Sequence, residues 1–269
     1  MSTTQKEQQP KLILHWLEES RAQRIVWLLE ELELEYTLKL YHRSQGKAAD
    51  AALLEKSQLG KSPVLEIESI DSETGQVTTK FVEESGFIIS YIIDHFDYSH
   101  KLSSLSSEEK ELVQFYLHFT EGTFQPFLTF VVVHAVANGM SPFFARFITS
   151  KFTQTIDTLY SLKNINLTCE KLEKDLEKNY SQNTSSSQDL FFVSNKITGA
   201  DIILIFPLEV IFESNRLQDL GFDVSKYPLL AKWVSEIRSR AAYRRSYERV
   251  EREGKGQFKI GPPLHNNGA

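Results

Sequence analysis

The first part of the chain alternates short apolar runs with apolar residues at helical spacing. Residues 11–16 form a short apolar run and residues 35–40 return to the same character, which is typical of buried strands. Between them, apolar side chains repeat at the spacing of a helix at Ala22, Ile25, Leu28, Leu29 and Leu32. The pattern predicts strand, helix and strand, which is the beginning of a parallel βαβ unit whose helix buries its apolar face on the sheet.

The chain that follows adds a weaker helix, a hairpin and a further helix to this prediction. Residues 48–57 form the weaker helix, and residues 64–68 and 80–83 form two strands joined by a turn that contains Asp71 and Gly75. Residues 86–95 carry apolar side chains at helical spacing, with Ser85 in the position of an N-cap. The predicted order, βαβαββα, is that of a thioredoxin-like domain.

From residue 108 onward the pattern is helical. Helical periods cover 108–136, 142–162, 167–180, 201–213 and 227–247, and Ser106 with Glu109 forms a capping box before the first of them. The predicted fold class is therefore α/β plus all-α, with a thioredoxin-like domain at 11–98, a linker at 99–107 and a helical bundle at 108–250. Residues 1–10 are predicted to be a disordered tail, and residues 251–269 a flexible tail that is disordered or loosely docked. The polar segment 181–188 is predicted to be a mobile loop.

Composition and charge narrow the range of functions. The 269 residues, with a mass of 31.0 kDa and 41% hydrophobic residues, suffice for the cores of two domains. The net charge of −6 argues against a general nucleic-acid surface. The single cysteine, Cys169, fits a reducing compartment and rules out a zinc cluster built on several cysteines, so we expect no metal.

Membrane insertion is not expected from the hydropathy of the chain. Residues 1–10 lack the apolar run of a secretory signal, and the longest apolar stretch, 127–137, is shorter than the roughly 20 residues that cross a bilayer. We interpret that stretch as a buried helix. A cytoplasmic location without a transmembrane segment is expected, and the sequence leaves peripheral association with an organelle membrane open.

Three short motifs carry a resemblance to a known family. The chain reads H-W-L-E-E-S-R-A-Q-R at 15–24, K-S-P at 61–63 and E-S at 84–85. Together these motifs resemble the glutathione transferase family, in its fungal and bacterial branch, and the similarity runs from about residue 11 to about residue 245. The resemblance implies glutathione as co-substrate with no further cofactor, an apolar electrophile as second substrate, a homodimer and, as in many relatives, reduction of organic hydroperoxides.

The resemblance also implies how glutathione is held. The bond before Pro63 is expected to be cis, the backbone of Ser62 to pair with the cysteinyl part of the peptide, and Glu84 with Ser85 to hold the γ-glutamyl end. That end carries a carboxylate and an ammonium, which suit the N–H groups of a helix start and the acid beside them. Candidates for the glycyl carboxylate are Lys61 and, more vaguely, Arg43 and Lys47.

Ser20 is the candidate for activating the thiol. At the change from strand to helix, its hydroxyl can donate to a sulfur anion, and the thiolate is the form that conjugation needs. The alternative is structural, because Ser20 and Gln23 spell the S-x-x-Q of a capping box. Arg21 and Arg24 lie where the helix dipole disfavours a cation, so an anionic partner is expected. We assign Arg21 to the site and expect Glu18, Glu19 or an acid at the domain interface to face Arg24.

Four residues of the helical half complete the candidates. Tyr116 and Phe119 are assigned to the pocket for the apolar co-substrate, although aromatic residues at this spacing more often belong to a core. Thr198 and Asp201 form a T-x-x-D box that resembles the family's structural N-cap. Cys169 is predicted to be inert.

The sequence favours a glutathione transferase that conjugates the glutathione thiolate to apolar electrophiles, with peroxidase activity beside it. The alternative is a non-catalytic member of the same fold, an interaction or regulatory module in which the pocket persists but the thiol is not activated.

Overall fold

The N-terminal half is built on a four-stranded mixed sheet. A computed structural model describes residues 9–43, 51–71, 74–182, 189–213 and 215–261. The elements up to the end of this half are β1 Lys11–Leu17, α1 Gln23–Glu31, β2 Tyr36–Tyr41, α2 Ala51–Leu54, β3 Val64–Ile70, β4 Val77–Glu83 and α3 Ser85–Phe96. The strand order is β2-β1-β3-β4, with β1 and β2 parallel and the other pairs antiparallel. The predicted βαβαββα order and the thioredoxin-like fold are confirmed.

Burial explains the sheet and its first helix. Every residue of β1 after Lys11 is buried, and the strand lies inside the sheet, between β2 and β3. The apolar face of α1 packs against helices of the C-terminal half and against α3. This packing fixes the loop between β1 and α1 at the junction of the two halves.

The regular secondary structure in the described part of the C-terminal half is helical, with loops between the helices. Its elements are α4 Ser107–Phe119, a π-helical turn Thr120–Phe124, α5 Gln125–Met140, α6 Arg146–Ile156, a second π-helical turn Asp157–Ser161, α7 Leu162–Gln182, α8 Gly199–Glu213, α9 Asn215–Asp219, a 3₁₀ turn Val224–Lys226, α10 Pro228–Ser239 and α11 Ala241–Gly254. The fold class predicted from the sequence, α/β plus all-α, is therefore confirmed.

Three predicted helices are interrupted or joined differently than expected, and the weaker helix predicted over 48–57 already ends at Leu54. The helix predicted over 108–136 is interrupted by the first π-helical turn, and the one over 227–247 is broken at Arg240, whose backbone is extended. The helix predicted over 142–162 begins only at Arg146 and continues through the second π-helical turn into α7. Hydrophobic periodicity misses these breaks because each interruption preserves the helical spacing on either side of it.

The N-cap predicted at Ser85 lies one residue earlier. Ser85 is the first residue of α3, and Glu84, with a left-handed backbone (φ 68°), takes the N-cap position without a side-chain cap bond. The positive φ ends the extended run of β4 and turns the chain into the helix within one residue.

The apolar stretch 127–137 is not the buried helix that the sequence predicts. Within α5 only Leu128 and Val131 of this stretch are buried, whereas Phe130 and Val133 are exposed. None of the described helices is both long enough and apolar enough to cross a bilayer.

The segment predicted as a flexible tail is docked over 251–261. Helix α11 continues to Gly254, the Phe258 ring stacks on His42 at 3.9 Å between centroids, and Ile260 packs against the core. The sequence left a disordered and a loosely docked tail open, and two apolar side chains, Phe258 and Ile260, make the contacts that dock this part. Residues 1–8, 262–269 and the 183–188 part of the predicted mobile loop lie outside the described residues.

Candidate functional site

A cavity of about 500 Å³ lies where the two halves meet. Its N-terminal wall comes from the loop after β1 and from the segment before β3. Its other wall comes from one face of α5 and from α8. The lining residues are Leu17, Glu19, Ser20, Arg21, Arg43, Leu54, Leu59, Gly60, Lys61, Ser62, Gln125, Leu128, Thr129, Val132, Phe206 and Val210.

Ser20 lies in this cavity with only 6% of its surface exposed. Its Oγ accepts a hydrogen bond from the Ala22 backbone N–H at 3.2 Å. The capping box suggested by S-x-x-Q does not form, because the Gln23 side chain binds Trp16 and Ser246 instead. Among the described residues no acceptor takes the Ser20 hydroxyl proton. Ser20 therefore has a hydrogen-bond donor to offer to a ligand in the cavity.

Arg21 and Arg24 share one carboxylate from the other domain. Glu121, in the first π-helical turn, accepts a hydrogen bond from Arg21 on one oxygen and from Arg24 on the other. Burial by itself would raise the pKa of Glu121, but the charges of Arg24 and Arg21 outweigh it and hold that pKa below its ordinary value. Of the partners expected for Arg24, which were Glu18, Glu19 and an acid at the domain interface, the structure shows the last, and the same acid also binds Arg21.

Hydrogen bonds with Lys259 and Arg43 fix the backbone of the loop before Ser20. Glu19 has a left-handed backbone (φ 49°), and its N–H donates to the Lys259 carbonyl at 3.2 Å. Arg43 donates from Nε to the Glu18 carbonyl at 2.9 Å and from a terminal nitrogen to the Glu19 carbonyl at 3.1 Å. Arg43, a vague candidate for the glycyl carboxylate, thus orders the loop, and burial lowers its pKa. Lys47 lies outside the described residues.

Ser62 lines the edge of the cavity next to β1, and Pro63 follows it in the chain. The peptide bond between them is cis, as the resemblance implied. The Ser62 hydroxyl donates to the His15 carbonyl at 2.9 Å and accepts from the Leu17 N–H at 3.1 Å, so it continues the β1–β3 pairing by one step. The small residue before this proline, a mild departure from the family pattern, therefore has a structural role of its own.

A histidine that the sequence did not single out supports this edge. His15 is buried in β1, with Nε2 at 2.8 Å from a Glu66 carboxylate oxygen and Nδ1 at 2.8 Å from the Tyr41 hydroxyl. Burial lowers the pKa of His15 despite the opposing effect of Glu66, so the ring is neutral at pH 7. The neutral ring donates from Nε2 to Glu66 and accepts at Nδ1 from Tyr41.

Glu84 and Ser85 stand beside the cis-proline but not among the described residues that line the cavity. The register of Val64 opposite Glu83 brings them alongside Pro63 at the end of β4. Ser85 is buried at the start of α3, and Glu84 is exposed. Lys61 lines the cavity with an exposed side chain. The binding roles assigned to these residues stay predictions.

The aromatic pair predicted for the co-substrate pocket lies elsewhere. Tyr116 is buried in the helical core with its hydroxyl at 2.9 Å from an Asp175 oxygen, and Phe119 stacks on Phe115. Neither is among the described residues that line the cavity. The apolar wall consists instead of two i, i+4 pairs, Leu128 with Val132 and Phe206 with Val210. Their helical spacing was a signal available in the sequence, but it does not say which face meets a ligand.

The T-x-x-D box is formed as predicted. One Asp201 oxygen accepts from the Thr198 N–H at 2.8 Å and from the Thr198 hydroxyl at 3.0 Å. The other accepts from the Phe192 N–H and from Trp233 Nε1. Cys169 is fully buried, and burial raises its pKa, which agrees with an inert thiol.

Three features of this structure together define the architecture of the glutathione transferases. The thioredoxin-like domain has a cis-proline beside the cavity and a serine after its first strand, and an all-helical second domain lies over the opening. The family described as "Glutathione S-transferase, N-terminal domain" matches residues 11–94, and "Glutathione S-transferase, C-terminal domain" matches 138–241. The chain belongs to the glutathione S-transferase family.

Two fungal relatives resemble it over most of their length. It is 33% identical to glutathione S-transferase 1 of Saccharomyces cerevisiae over 247 residues, which cover 91% of this chain and 97% of the relative. It is 29% identical to glutathione S-transferase 3 of Schizosaccharomyces pombe over 240 residues, 89% and 88% of the two chains.

Solved structures share the fold at lower identity. A glutathione transferase homolog from Lodderomyces elongisporus, solved with two GSH per subunit, has a TM-score of 0.66 at 19% identity, with 88% of this chain and 98% of that chain covered. Ure2p in complex with glutathione has a TM-score of 0.64 at 14% identity, with 87% and 97% covered.

Proposed function

We propose that the protein is a glutathione transferase that conjugates the glutathione thiolate to apolar electrophiles and reduces organic hydroperoxides with the same thiolate. The observation that carries the proposal is the Ser20 hydroxyl in the interdomain cavity, whose proton has no acceptor among the described residues. Both fungal relatives bear the name glutathione S-transferase, which supports the same activity.

The thiolate is stabilised by a donor and by nearby cations. A hydrogen bond from Ser20 to the sulfur favours the charged form of the thiol. Among the described residues that line the cavity, three are bases, Arg21, Arg43 and Lys61, and one is an acid, Glu19, so the lining carries an excess of positive charge. Arg21 and Arg43 are engaged with protein groups, so they act on the thiolate through their field rather than by direct contact.

Glutathione spans the cavity edge. Its cysteinyl backbone pairs with the backbone of Ser62 before the cis-proline. The γ-glutamyl carboxylate lies at the N–H groups that begin α3 near Ser85, and the ammonium faces Glu84. Lys61 is the proposed partner of the glycyl carboxylate, supported by its position at the cavity.

The apolar co-substrate occupies the wall built by α5 and α8. Leu128, Val132, Phe206 and Val210 line that wall, and a surface of this kind accepts hydrophobic electrophiles and hydroperoxides with little selectivity.

A homodimer in a reducing, cytoplasmic compartment is part of the proposal. Exposed apolar side chains at Phe87 on α3 and at Leu112 and Phe115 on α4 support an interface there, and Gln114 links the two helices by a hydrogen bond to Ser90 at 3.3 Å. The buried lone thiol of Cys169 is compatible with reducing conditions.

The test is the pH dependence of conjugation in Ser20→Ala, with Ser20→Thr as the matched variant that keeps a hydroxyl. A hydrogen bond to a charged group contributes about 1.5–3 kcal/mol, so its loss raises the pKa of the bound thiol by roughly one to two units. We expect kcat/KM of Ser20→Ala to fall about 10- to 100-fold at pH 6.5 and to approach the wild-type value above the raised pKa.

A pH-independent loss in Ser20→Ala would assign Ser20 to structure rather than to the thiolate. If the wild-type protein binds immobilised glutathione yet turns over neither an apolar electrophile nor cumene hydroperoxide, the non-catalytic alternative replaces the proposed function.

A further inference from the structure

The hairpin between α5 and α6 carries a large exposed apolar surface. Phe143 and Phe144 are 90% and 85% exposed. The surface, which we call the hairpin surface, consists of Met140, Phe143, Phe144, Phe147, Ile148 and Phe152. Large contiguous apolar patches are rare on monomeric proteins and mark places that another phase or molecule covers.

Four polar side chains of the same hairpin lie between its helices. His134 Nδ1 lies 2.6 Å from an Asp157 oxygen, and Asn138 donates to the Thr153 hydroxyl at 2.8 Å. Asp157 and Thr153 are buried. These four side chains bond one another between α5 and the following helical segment, while Phe143, Phe144, Phe147 and Phe152 are exposed. Exposed polar side chains, such as Ser150 and Gln154, accompany the phenylalanines on the outer side.

The charge of the hairpin favours an anionic surface over a second copy of the chain. Between residues 122 and 161 the sequence contains Arg146 and Lys151 as bases and Asp157 as its only acid. Both bases are exposed, Lys151 lies over the Phe147 ring at 5.3 Å, and Asp157 is buried against His134. A symmetric contact would bring these cations close to their own copies without an exposed acid from the hairpin to pair with them.

We propose that the hairpin surface docks the protein onto an anionic lipid bilayer. The phenylalanines enter the boundary between headgroups and acyl chains, while Arg146 and Lys151 remain at the level of the lipid phosphates and carboxylates. The attachment is peripheral. It goes beyond the proposed transferase function and does not depend on it.

Vesicle flotation tests this proposal. Wild-type protein is mixed with vesicles of phosphatidylcholine alone or with about 30% phosphatidylserine, and the bound fraction is compared with that of Phe143→Ser/Phe147→Ser and Arg146→Gln/Lys151→Gln. The matched control is Tyr98→Ser/Tyr180→Ser, which removes two exposed aromatic rings away from the hairpin surface and from the proposed dimer interface. Circular dichroism and thermal unfolding establish that each variant is folded.

We expect the wild-type protein and the control to float with the anionic vesicles. Loss of the two phenylalanines should reduce binding at least tenfold on either vesicle. Loss of the two bases should reduce binding about thirtyfold on anionic vesicles and change it little on neutral ones. The figure follows from about 1 kcal/mol per basic residue and a tenfold change in binding per ~1.4 kcal/mol. A single Phe144→Trp reporter should shift its emission to the blue on binding.

Three results would overturn the proposal. One is wild-type protein that stays unbound with both vesicles. Another is equal binding by the wild type and the phenylalanine double variant. The third is a wild-type dimer that binds neither vesicle while the phenylalanine double variant has the mass of a monomer. That result would assign the hairpin surface to a second copy of the chain.

Discussion

Replacing Glu121 by glutamine should affect Arg21 and Arg24 differently, although the two arginines share its carboxylate. Arg24 is fully buried and retains only the Ile203 carbonyl, at 2.8 Å, as a further acceptor, and its Nε has no partner among the described residues. Arg21 has 39% of its side chain exposed. The substitution therefore leaves one guanidinium charge buried without a counter-ion and the other free to reach water.

The structure sets the expected magnitudes. Breaking a buried ion pair by removing one partner costs about 3–5 kcal/mol, whereas an exposed pair contributes about 0–1 kcal/mol. Because the Glu121 side chain is itself 20% exposed, we expect a loss near the lower end, about 3 kcal/mol, for Glu121→Gln. Arg21→Gln, which removes only the exposed partner of the same carboxylate, should cost at most about 1 kcal/mol.

Urea unfolding followed by circular dichroism measures both free energies. The folded pKa of Glu121 is lowered, so its contribution is present above the ordinary carboxylate range and is lost as the pH falls through the folded pKa. The difference between wild type and Glu121→Gln should accordingly shrink in acid. The double variant Arg24→Met/Glu121→Leu should recover much of the loss, because apolar replacements remove the buried charge as well. A Glu121→Gln variant no less stable than Arg21→Gln would refute the reasoning.

Two further predictions concern buried carboxylates of the helical domain. Asp201→Ala leaves four donors without their acceptor: the Thr198 N–H and hydroxyl, the Phe192 N–H and Trp233 Nε1. It should lower the free energy of unfolding by about 4 kcal/mol or more, measured in denaturant beside Asp201→Asn, which keeps one acceptor oxygen. Equal stability of Asp201→Ala and wild type would contradict this prediction. Burial raises the pKa of Glu209 to about 7, so its stabilising contribution is complete below the ordinary carboxylate pKa and is lost as the pH rises through about 7. Glu209→Gln should therefore gain about 3 kcal/mol of unfolding free energy relative to wild type between pH 4.5 and pH 8, measured in denaturant. A difference between the two proteins that does not change with pH would argue against the assignment.

The local elements of this protein are determined by its sequence. The period of apolar residues is enough to predict the strand, helix and strand at the start of the chain, because burial of one helix face on a sheet leaves a repeat that is visible without coordinates. The T-x-x-D box at Thr198 and Asp201 is likewise readable, since its main bonds join residues close in sequence.

The candidate site depends on residues far apart in the chain. The S-x-x-Q motif is compatible with a capping box and with a serine hydroxyl that is available to a ligand. The capping box does not form because the Gln23 side chain donates instead to the Ser246 hydroxyl, 223 residues further along the chain. Glu121 meets Arg21 and Arg24 only because the first π-helical turn directs it across the domain interface. Periodicity shows which residues share a helix face but not what that face meets. For that reason tertiary packing alone decided that Tyr116 belongs to the core, that Leu128 and Val132 line the cavity, and that the phenylalanines of the hairpin surface face outward.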